Sequence, residues 1–229
     1  MVSSGRFVTQ AQRETVVFDF DGTLVADDTG LCFYRWLLER SRWRRALVYS
    51  STPAIVPLLI PGWSRLFGVN VACYLSSAFQ GQSLFSLREA FIRDHFGGGA
   101  AVYAEGLEEL RQHQLAGRDV LIISGSPRWL LHGVIKYLGL RDCTLIASEC
   151  EITGSGLLLR EHCFSGHKVV MARRRGFDPS SWVIGYTDSR ADIPMLEYCR
   201  TRVLINGSSR SEQHFRGRFG DTLQTRHWR

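Results

Sequence analysis

The six cysteines of this 229-residue chain include no CxxC pair. They are scattered along the sequence, at Cys32, Cys73, Cys143, Cys150, Cys163 and Cys199. Closely spaced cysteines are typical of structural zinc sites and redox dithiols, so the sequence indicates neither. We expect buried, reduced thiols, which favours the cytosolic side of a membrane as the compartment.

The N-terminal residues 1–13 lack the charged segment and apolar core of a signal peptide. We expect a short leader into the first strand instead. Internal repeats are also absent. With 45% hydrophobic residues, the chain suffices for one substantial core, or for one core with a small insertion.

Positive charge is in excess, with a formal net charge of +6 and an isoelectric point near 9.2. This balance favours anionic partners, a class that includes nucleic acid, acidic lipid headgroups and phosphorylated metabolites. No nucleic-acid recognition motif accompanies the charge, and the basic residues are dispersed or terminal. We therefore expect no nucleic-acid partner.

No charged residue occurs between Ala46 and Ser64. About 20 apolar residues cross a bilayer, but Pro53, Pro57 and Pro61 should each interrupt a helix, so a straight spanning helix is not expected. Arginines and tryptophans flank the segment, as in chains that rest in a membrane interface. Two interpretations stay open, an interfacial segment and a buried part of a helical domain.

Strand and helix patterns alternate along most of the chain, which predicts a parallel α/β sheet with functional groups at the carboxyl ends of its strands. A helix is predicted over 105–115, and a hairpin over 149–160 around Gly154-Ser155-Gly156. The predicted strands are 15–20, 118–123, 144–147, 182–186 and 202–205.

Residues 27–96 have a helical pattern with no clear strand, and Gly97-Gly98-Gly99 follows as a plausible hinge. We expect a catalytic α/β core from residues 1–26 and 97–206, with residues 27–96 inserted as a helical cap. The polar, basic residues 207–229 are expected to form a mobile tail.

The first strand ends in Asp19-Phe20-Asp21-Gly22-Thr23. Two carboxylates two positions apart leave a strand on the same side, and the glycine permits a sharp turn close to a ligand. Acidic residues at a strand end can be structural. At the end of an apolar strand, however, the two carboxylates would repel each other and need a cation.

Three further groups follow the later strands. Ser124, followed by Gly125 and then by Pro127 in the first turn of a helix, forms an anion-accepting nest. Lys168 begins a helix after the hairpin, where a lone lysine is otherwise an ordinary surface charge. Asp188 and Asp192 are four positions apart at a loop-to-helix turn, where carboxylate oxygens suit Mg²⁺.

Taken in order, these residues resemble the four motifs of the haloacid dehalogenase superfamily of phosphohydrolases: DxDxT, a strand-end Ser or Thr, a Lys and a paired-acid loop. The resemblance covers about residues 16–205. The insertion after the first motif is similar to the cap of the phosphoserine-phosphatase-like branch. The apolar cap segment, SGSP, the LIAS run and YTDS most resemble the phosphatidylglycerophosphatase C family.

The resemblance implies a Rossmann-like parallel sheet and a Mg²⁺-dependent phosphatase. Asp19 is expected to attack phosphorus and become phosphorylated, and Asp21 to act as general acid and then base. Ser124, Gly125 and Lys168 are expected to bind the phosphoryl group. Residues expected to hold the metal are Asp19, Asp21 through its backbone carbonyl, Asp188 and Asp192.

The sequence departs from the common pattern in its fourth motif, where Thr-Asp-Ser replaces Gly-Asp-Gly and Ala191 takes the place of Asn. These changes affect the expected metal geometry more than the reaction class. All four motif positions are filled, so a catalytically inactive relative is not expected.

The expected substrate is a lipid phosphate, phosphatidylglycerophosphate by resemblance, which would be converted to phosphatidylglycerol at an anionic membrane surface. The protein would then lie peripherally on the cytoplasmic side of the bacterial inner membrane. The alternative is a cytoplasmic phosphatase of a small soluble phosphomonoester such as phosphoserine. A small polar substrate should not need the uncharged cap segment.

Overall fold

The computed structural model describes residues 13–55, 64–78, 84–98 and 102–229. Seven strands form one sheet in the order β4-β3-β2-β1-β5-β6-β7. All neighbours are parallel except the β3–β4 hairpin. The strands are β1 Thr15–Phe18, β2 Asp119–Pro127, β3 Cys143–Thr153, β4 Gly156–Glu161, β5 Trp182–Thr187, β6 Thr201–Ile205 and β7 Leu223–Arg226.

The central strands are continuously apolar, and successive side chains point to opposite faces of the sheet, so both faces are buried. Val16 and Phe18 belong to a core on one face, while Val17 belongs to the core on the other face. Parallel sheets need cover on both faces, which this continuous apolar composition provides. The predicted α/β fold with a parallel sheet and the predicted hairpin are confirmed.

Among the described residues, four helices follow β1 in the sequence before α5: α1 Thr29–Glu39, α2 Arg42–Ile55, α3 Ser64–Ser77 and α4 Leu84–Phe96. The later helices are α5 Ala104–Leu115, α6 Arg128–Tyr137, α7 His167–Arg174, α8 Ile193–Leu196 and α9 Ser209–Phe219. Gly97 and Gly98 form a turn after α4, and Gly99 of the predicted hinge lies outside the described residues.

Side chains of α3 bind the outer edge of β4. Asn70 donates to the Leu159 carbonyl at 2.7 Å and accepts from the Leu159 N–H at 3.0 Å. The Leu157 N–H donates to Ser77 Oγ at 2.9 Å. Backbone groups on a sheet edge need partners, and these two side chains supply them.

The prediction of a mobile tail over residues 207–229 is wrong. Helix α9 begins after Ser208, whose side chain accepts from the Ser211 N–H, and β7 pairs in parallel with β6. Phe215 and Trp228 are buried. The segment folds because its few apolar residues fall where α9 and β7 face the core, although its average composition is polar.

The prediction that Pro53 interrupts a helix is also wrong, since this residue lies inside α2 near its end. Pro57 and Pro61, and the centre of the uncharged segment, lie outside the described residues. Within the part of the chain that is described, none of the helices combines the length and apolarity that a membrane crossing requires.

Candidate active site

The carboxyl ends of β1, β2 and β5 meet at one edge of the sheet, and the predicted acidic residues lie there. The Asp19 N–H donates to the Tyr186 carbonyl at 2.9 Å, which joins the end of β1 to the end of β5. Gly22 has φ of 76°, and a Cβ on it would lie 2.3 Å from Asp188 Oδ2. A side chain at this position would therefore displace Asp188.

Lys168 lies between two carboxylates at the base of the site. Its Nζ is 2.7 Å from Asp19 Oδ1 and 2.7 Å from Asp192 Oδ1. The three side chains are at most 7% exposed. Burial opposes the charge of Lys168, but the two carboxylates outweigh it and hold the lysine pKa above its ordinary value. Lys168 is therefore a permanent cation here.

Burial raises the pKa of Asp19 well above its ordinary value, with Lys168 acting against the rise and Asp192 adding to it. Burial also raises the pKa of Asp188, to about 6, and Asp192 again contributes. One lysine therefore supplies too little positive charge for these carboxylates.

The charge balance fits a divalent cation. Asp19, Asp188 and Asp192 supply hard oxygen donors. When all three are ionised, their three negative charges exceed the single positive charge of Lys168 by two. The donor chemistry and the excess of buried negative charge thus both suit Mg²⁺. Asp21 contributes differently, because its carboxyl group accepts hydrogen bonds from hydroxyl and amide donors.

Three donors surround the carboxyl group of Asp21. Oδ1 accepts from the Thr29 N–H at 2.7 Å, while Oδ2 accepts from Ser124 Oγ at 2.8 Å and Ser126 Oγ at 2.7 Å. Burial raises the pKa of Asp21, and the hydrogen bonds from Thr29 and Ser126 act against the rise. A carboxyl group with a raised pKa can hold a proton for transfer, as general acid catalysis requires.

Ser124 is fully buried, and its hydroxyl is already engaged. It donates to Asp21 and accepts from the Ser126 N–H at 2.9 Å. The Gly125 carbonyl accepts from Ser148 Oγ at 2.6 Å. Pro127 is the last residue of β2 and precedes α6, so its predicted place inside the first helical turn is wrong by one residue.

Ser126 was not predicted as a site residue, although its hydroxyl contacts Asp21 as closely as Ser124 does. It also accepts from the Gly30 N–H at 3.0 Å, which links β2 to the start of α1. The only signal in the sequence is a second serine in SGSP, and serine is common in turns.

Asp192 is held from two sides. Thr187 Oγ1 donates to its Oδ2 at 2.8 Å, and Lys168 contacts its Oδ1. Ser189 caps the short 3₁₀ turn over Arg190–Asp192 by accepting from the Ala191 N–H. The predicted four-residue spacing thus brings Asp188 to Gly22 and Asp192 to Lys168.

A cavity of about 810 Å³ extends from these carboxylates toward the helices between β1 and α5. Asp19, Asp21 and Lys168 line its floor, and Arg35 on α1 lines its wall. Arg35 is exposed and forms no ion pair with any described carboxylate. The apolar side chains that α1, α2 and α3 add to the wall are Leu31, Tyr34, Leu38, Val48, Tyr49, Val69, Ala72 and Cys73.

A parallel sheet that places paired acids, a buried lysine and serine hydroxyls at one edge defines a hydrolytic site of the phosphoryl-transfer kind. The chain belongs to the haloacid dehalogenase-like hydrolase family, whose model matches residues 16–197.

A probable phosphatase of Mycobacterium tuberculosis (strain ATCC 25618 / H37Rv) is 24% identical over 202 residues, which are 85% of this chain and 69% of that protein. A structure from Bordetella pertussis Tohama I, of a protein of unknown function, has a TM-score of 0.68 at 19% identity. That alignment covers 93% of this chain and 98% of the other.

A substrate-bound phosphoserine phosphatase complex aligns with a TM-score of 0.57 at 14% identity, over 88% of this chain and 90% of that one. At these identities the structural likeness shows the fold alone. With the family match, the comparisons confirm the prediction of an enzyme of the phosphatase class on a Rossmann-like α/β fold.

Proposed function

We propose that this chain is a Mg²⁺-dependent phosphomonoesterase that works through a phosphorylated Asp19 and acts on a lipid phosphate, phosphatidylglycerophosphate. The observation that carries the chemistry is the contrast between two neighbouring carboxyl groups. Asp19 lies against Lys168 at 2.7 Å, whereas Asp21 lies among hydroxyl and amide donors. One group suits a nucleophile and the other a proton carrier.

In the first step, a carboxylate oxygen of Asp19 forms a bond to phosphorus while the bond from phosphorus to the ester oxygen breaks. Asp21 gives its proton to the departing alkoxide, so the product leaves as an alcohol. In the second step, Asp21 accepts a proton from water as that water attacks the phosphorus. Inorganic phosphate leaves and Asp19 is restored.

Positively charged groups stabilise the negative charge that the transferring phosphoryl group spreads over its oxygens. Lys168 supplies one such charge. Asp19, the backbone carbonyl of Asp21, Asp188 and Asp192 would hold Mg²⁺. When bound, the ion would offset the negative charge of the phosphoryl oxygens.

Two features support the lipid substrate. Apart from Arg35 and Ser76, the cavity wall over α1, α2 and α3 is apolar, which suits glycerol-linked acyl chains better than a small polar molecule. The exposed face of α2 carries Trp43, Leu47 and Tyr49 among Arg42 and Arg45. Aromatic and cationic side chains together favour an anionic bilayer surface.

We propose on this basis that α2 lies against the cytoplasmic face of a bacterial inner membrane, with the protein bound peripherally. The arginines would contact lipid phosphates, and the aromatic rings would enter the headgroup region. The other interpretation of the cap, in which its uncharged segment is buried, predicts no binding to anionic vesicles.

The test is a phosphate-release assay over phosphatidylglycerophosphate, phosphatidate and phosphoserine, with and without Mg²⁺ and detergent. We expect fast release from the lipid, none without the metal, and none from the Asp19→Asn variant. The Asp21→Asn variant should either accumulate phosphorylated enzyme or release the alcohol at least about a hundredfold more slowly than wild type. Activity retained by Asp19→Asn would refute the nucleophile, while rapid phosphoserine turnover without vesicle binding would refute the lipid substrate.

A further inference from the structure

A second group of ligand-type side chains lies outside the catalytic cavity. Asp27 follows the first motif, Cys32 lies on α1 and His95 lies on α4. Each can offer one ligand atom, and these atoms all lie within 4.8 Å of one another. None of the three lines the catalytic cavity.

His95 is the residue that most needs a partner. Its Nε2 atom is buried from solvent but forms no hydrogen bond. The nearest acidic atom, Asp27 Oδ2, is 3.4 Å away, within range of an ion pair. A buried ring nitrogen without a hydrogen bond costs free energy, which a bound ion would recover.

The imidazole is also held in place. It stacks on Phe91, with centroids 5.1 Å apart and planes at 14°, and meets Phe96 edge-on at 4.8 Å. Cys32 is half-buried on the neighbouring helix, and Asp27 is half-exposed at the mouth of the group. Two rigid helices and one loop therefore aim three different ligand types at a common point.

We propose that Asp27, Cys32 and His95 form a binding site for a zinc ion, separate from the catalytic magnesium site. A thiolate, an imidazole and a carboxylate are the three ligand types that zinc takes in proteins, with a water in the fourth position. Mg²⁺ takes oxygen ligands and would not prefer this set. On binding, the thiol proton of Cys32 passes to solvent.

The three ligands lack the CxxC spacing that is typical of zinc sites, because they come from three separate elements of the chain. Zinc here would tie the start of α1 to the end of α4. Asp28, next to Asp27, caps α1, and the following Thr29 N–H donates to Asp21. The ion would thus brace the loop that holds the catalytic acid.

The test uses the full chain with saturating Mg²⁺, so that the catalytic carboxylates are already occupied. Co²⁺ is titrated as a spectroscopic probe, and a bond from the Cys32 sulfur gives a charge-transfer absorption in the near ultraviolet. Zn²⁺ is then titrated to displace the cobalt. We expect one ion per chain, and a rise in melting temperature of about 5 °C at a Zn²⁺ concentration roughly 100 times the dissociation constant.

Cys32→Ser should abolish the absorption, and His95→Gln or Asp27→Asn should weaken Zn²⁺ binding by about tenfold or more. Asp27 is exposed in a loop, so Asp27→Asn tests the site even if a helix variant fails to fold. Matched controls are Cys143→Ser, another half-buried thiol, and His132→Gln on the surface of α6. The proposal is overturned if wild type shows no absorption, or if Cys32→Ser keeps it at full strength.

Discussion

The carboxyl group of Asp21 accepts three hydrogen bonds, and Ser126 provides one of the two that reach Oδ2. A hydrogen bond to the ionised form lowers a carboxyl pKa. Removing the Ser126 hydroxyl should therefore raise the pKa of Asp21 further.

We expect the Ser126→Ala variant to keep the acid form of Asp21 at higher pH. The alkaline limb of its pH–rate profile should move upward in pH relative to wild type. The control is Ser86→Ala, an exposed position on α4 that should leave the profile unchanged. An unmoved limb in Ser126→Ala would mean that Asp21 does not govern it.

Arg35 is an exposed cation on the wall of the cavity whose floor we propose to bind the phosphoryl group. Besides its phosphomonoester, phosphatidylglycerophosphate has a second anionic group, the phosphodiester. Phosphatidate has only the phosphomonoester. In detergent micelles, Arg35→Gln should raise KM for phosphatidylglycerophosphate about tenfold with kcat nearly unchanged.

The same substitution should leave KM for phosphatidate close to that of wild type. Arg111→Gln serves as the control, since Arg111 lies on α5 and pairs with Glu108 away from the cavity. Equal changes for both lipids would show that Arg35 does not read the diester.

Site residues that directly follow a strand, such as Asp19 and Asp188, were predictable from the sequence. Parallel strands bring their carboxyl ends to one edge, so a motif after each strand is enough to bring the residues together. Ser126 and Arg35 were not predicted. Their roles depend on where a turn and a helix point the side chain, and spacing alone does not determine that.

At the scale of elements, α3 is joined to β4 by the Ser77 hydroxyl and by the Asn70 amide, which both donates and accepts. Asn70→Ala removes both hydrogen bonds to Leu159 and leaves its partly buried backbone groups unpaired. We expect a loss of about 1–3 kcal/mol in the free energy of unfolding, measured by urea denaturation.

The control for Asn70→Ala is Thr52→Ala, an exposed position on α2 whose hydroxyl bonds only within its own helix. It should change the free energy of unfolding by about 0.5 kcal/mol or less. If both variants unfold at the same urea concentration as wild type, the two bonds of Asn70 do not stabilise the sheet edge.

Elements with strong patterns were predictable, and those with weak patterns were not. The composition of Trp182–Thr187, which is mostly apolar with β-branched residues, predicts a strand from the sequence alone. The last strand, Leu223–Arg226, is short and mostly polar, and it became a strand through pairing with β6. Pairing between distant segments leaves little trace in local composition.

At the scale of the whole molecule, a partly buried series of hydrogen bonds and ion pairs joins the C-terminal strand to the centre of the sheet. Arg118 donates to His113 Nδ1 at 3.0 Å, and His113 Nε2 lies 2.8 Å from Tyr186 Oη. Tyr186 donates to Glu109 at 2.7 Å, and Arg226 of β7 pairs with Glu109 at 2.8 Å. The arginine fixes the tautomer, so His113 donates through Nε2.

Burial lowers the pKa of His113, with Glu109 opposing and Arg118 adding to the effect. The unfolded chain therefore binds this proton more readily than the folded protein. The contribution of neutral His113 to the free energy of unfolding is complete above the ordinary histidine pKa of about 6.5. It is lost as the pH falls below that value.

We expect wild type to lose more stability between about pH 7.5 and about pH 5 than the His113→Gln variant, whose amide keeps a donor for Tyr186 but cannot titrate. Urea denaturation at both pH values gives the comparison. His132→Gln on the exposed face of α6 should behave like wild type. An equal loss in wild type and His113→Gln would exclude His113 as the source.

The bonds from Asn70 and Ser77 to β4 would also restrict how the proposed lipid substrate reaches the catalytic floor. If α3 swung away from the sheet, the outer edge of β4 would be left with unpaired backbone groups, a template for pairing with another chain. Aggregation would compete with every catalytic cycle that opened the enzyme in this way. Entry by displacement of α2 would break the bond from Arg44 to the Ala78 carbonyl, which follows α3, and would leave the bonds of Asn70 and Ser77 to the edge of β4 in place.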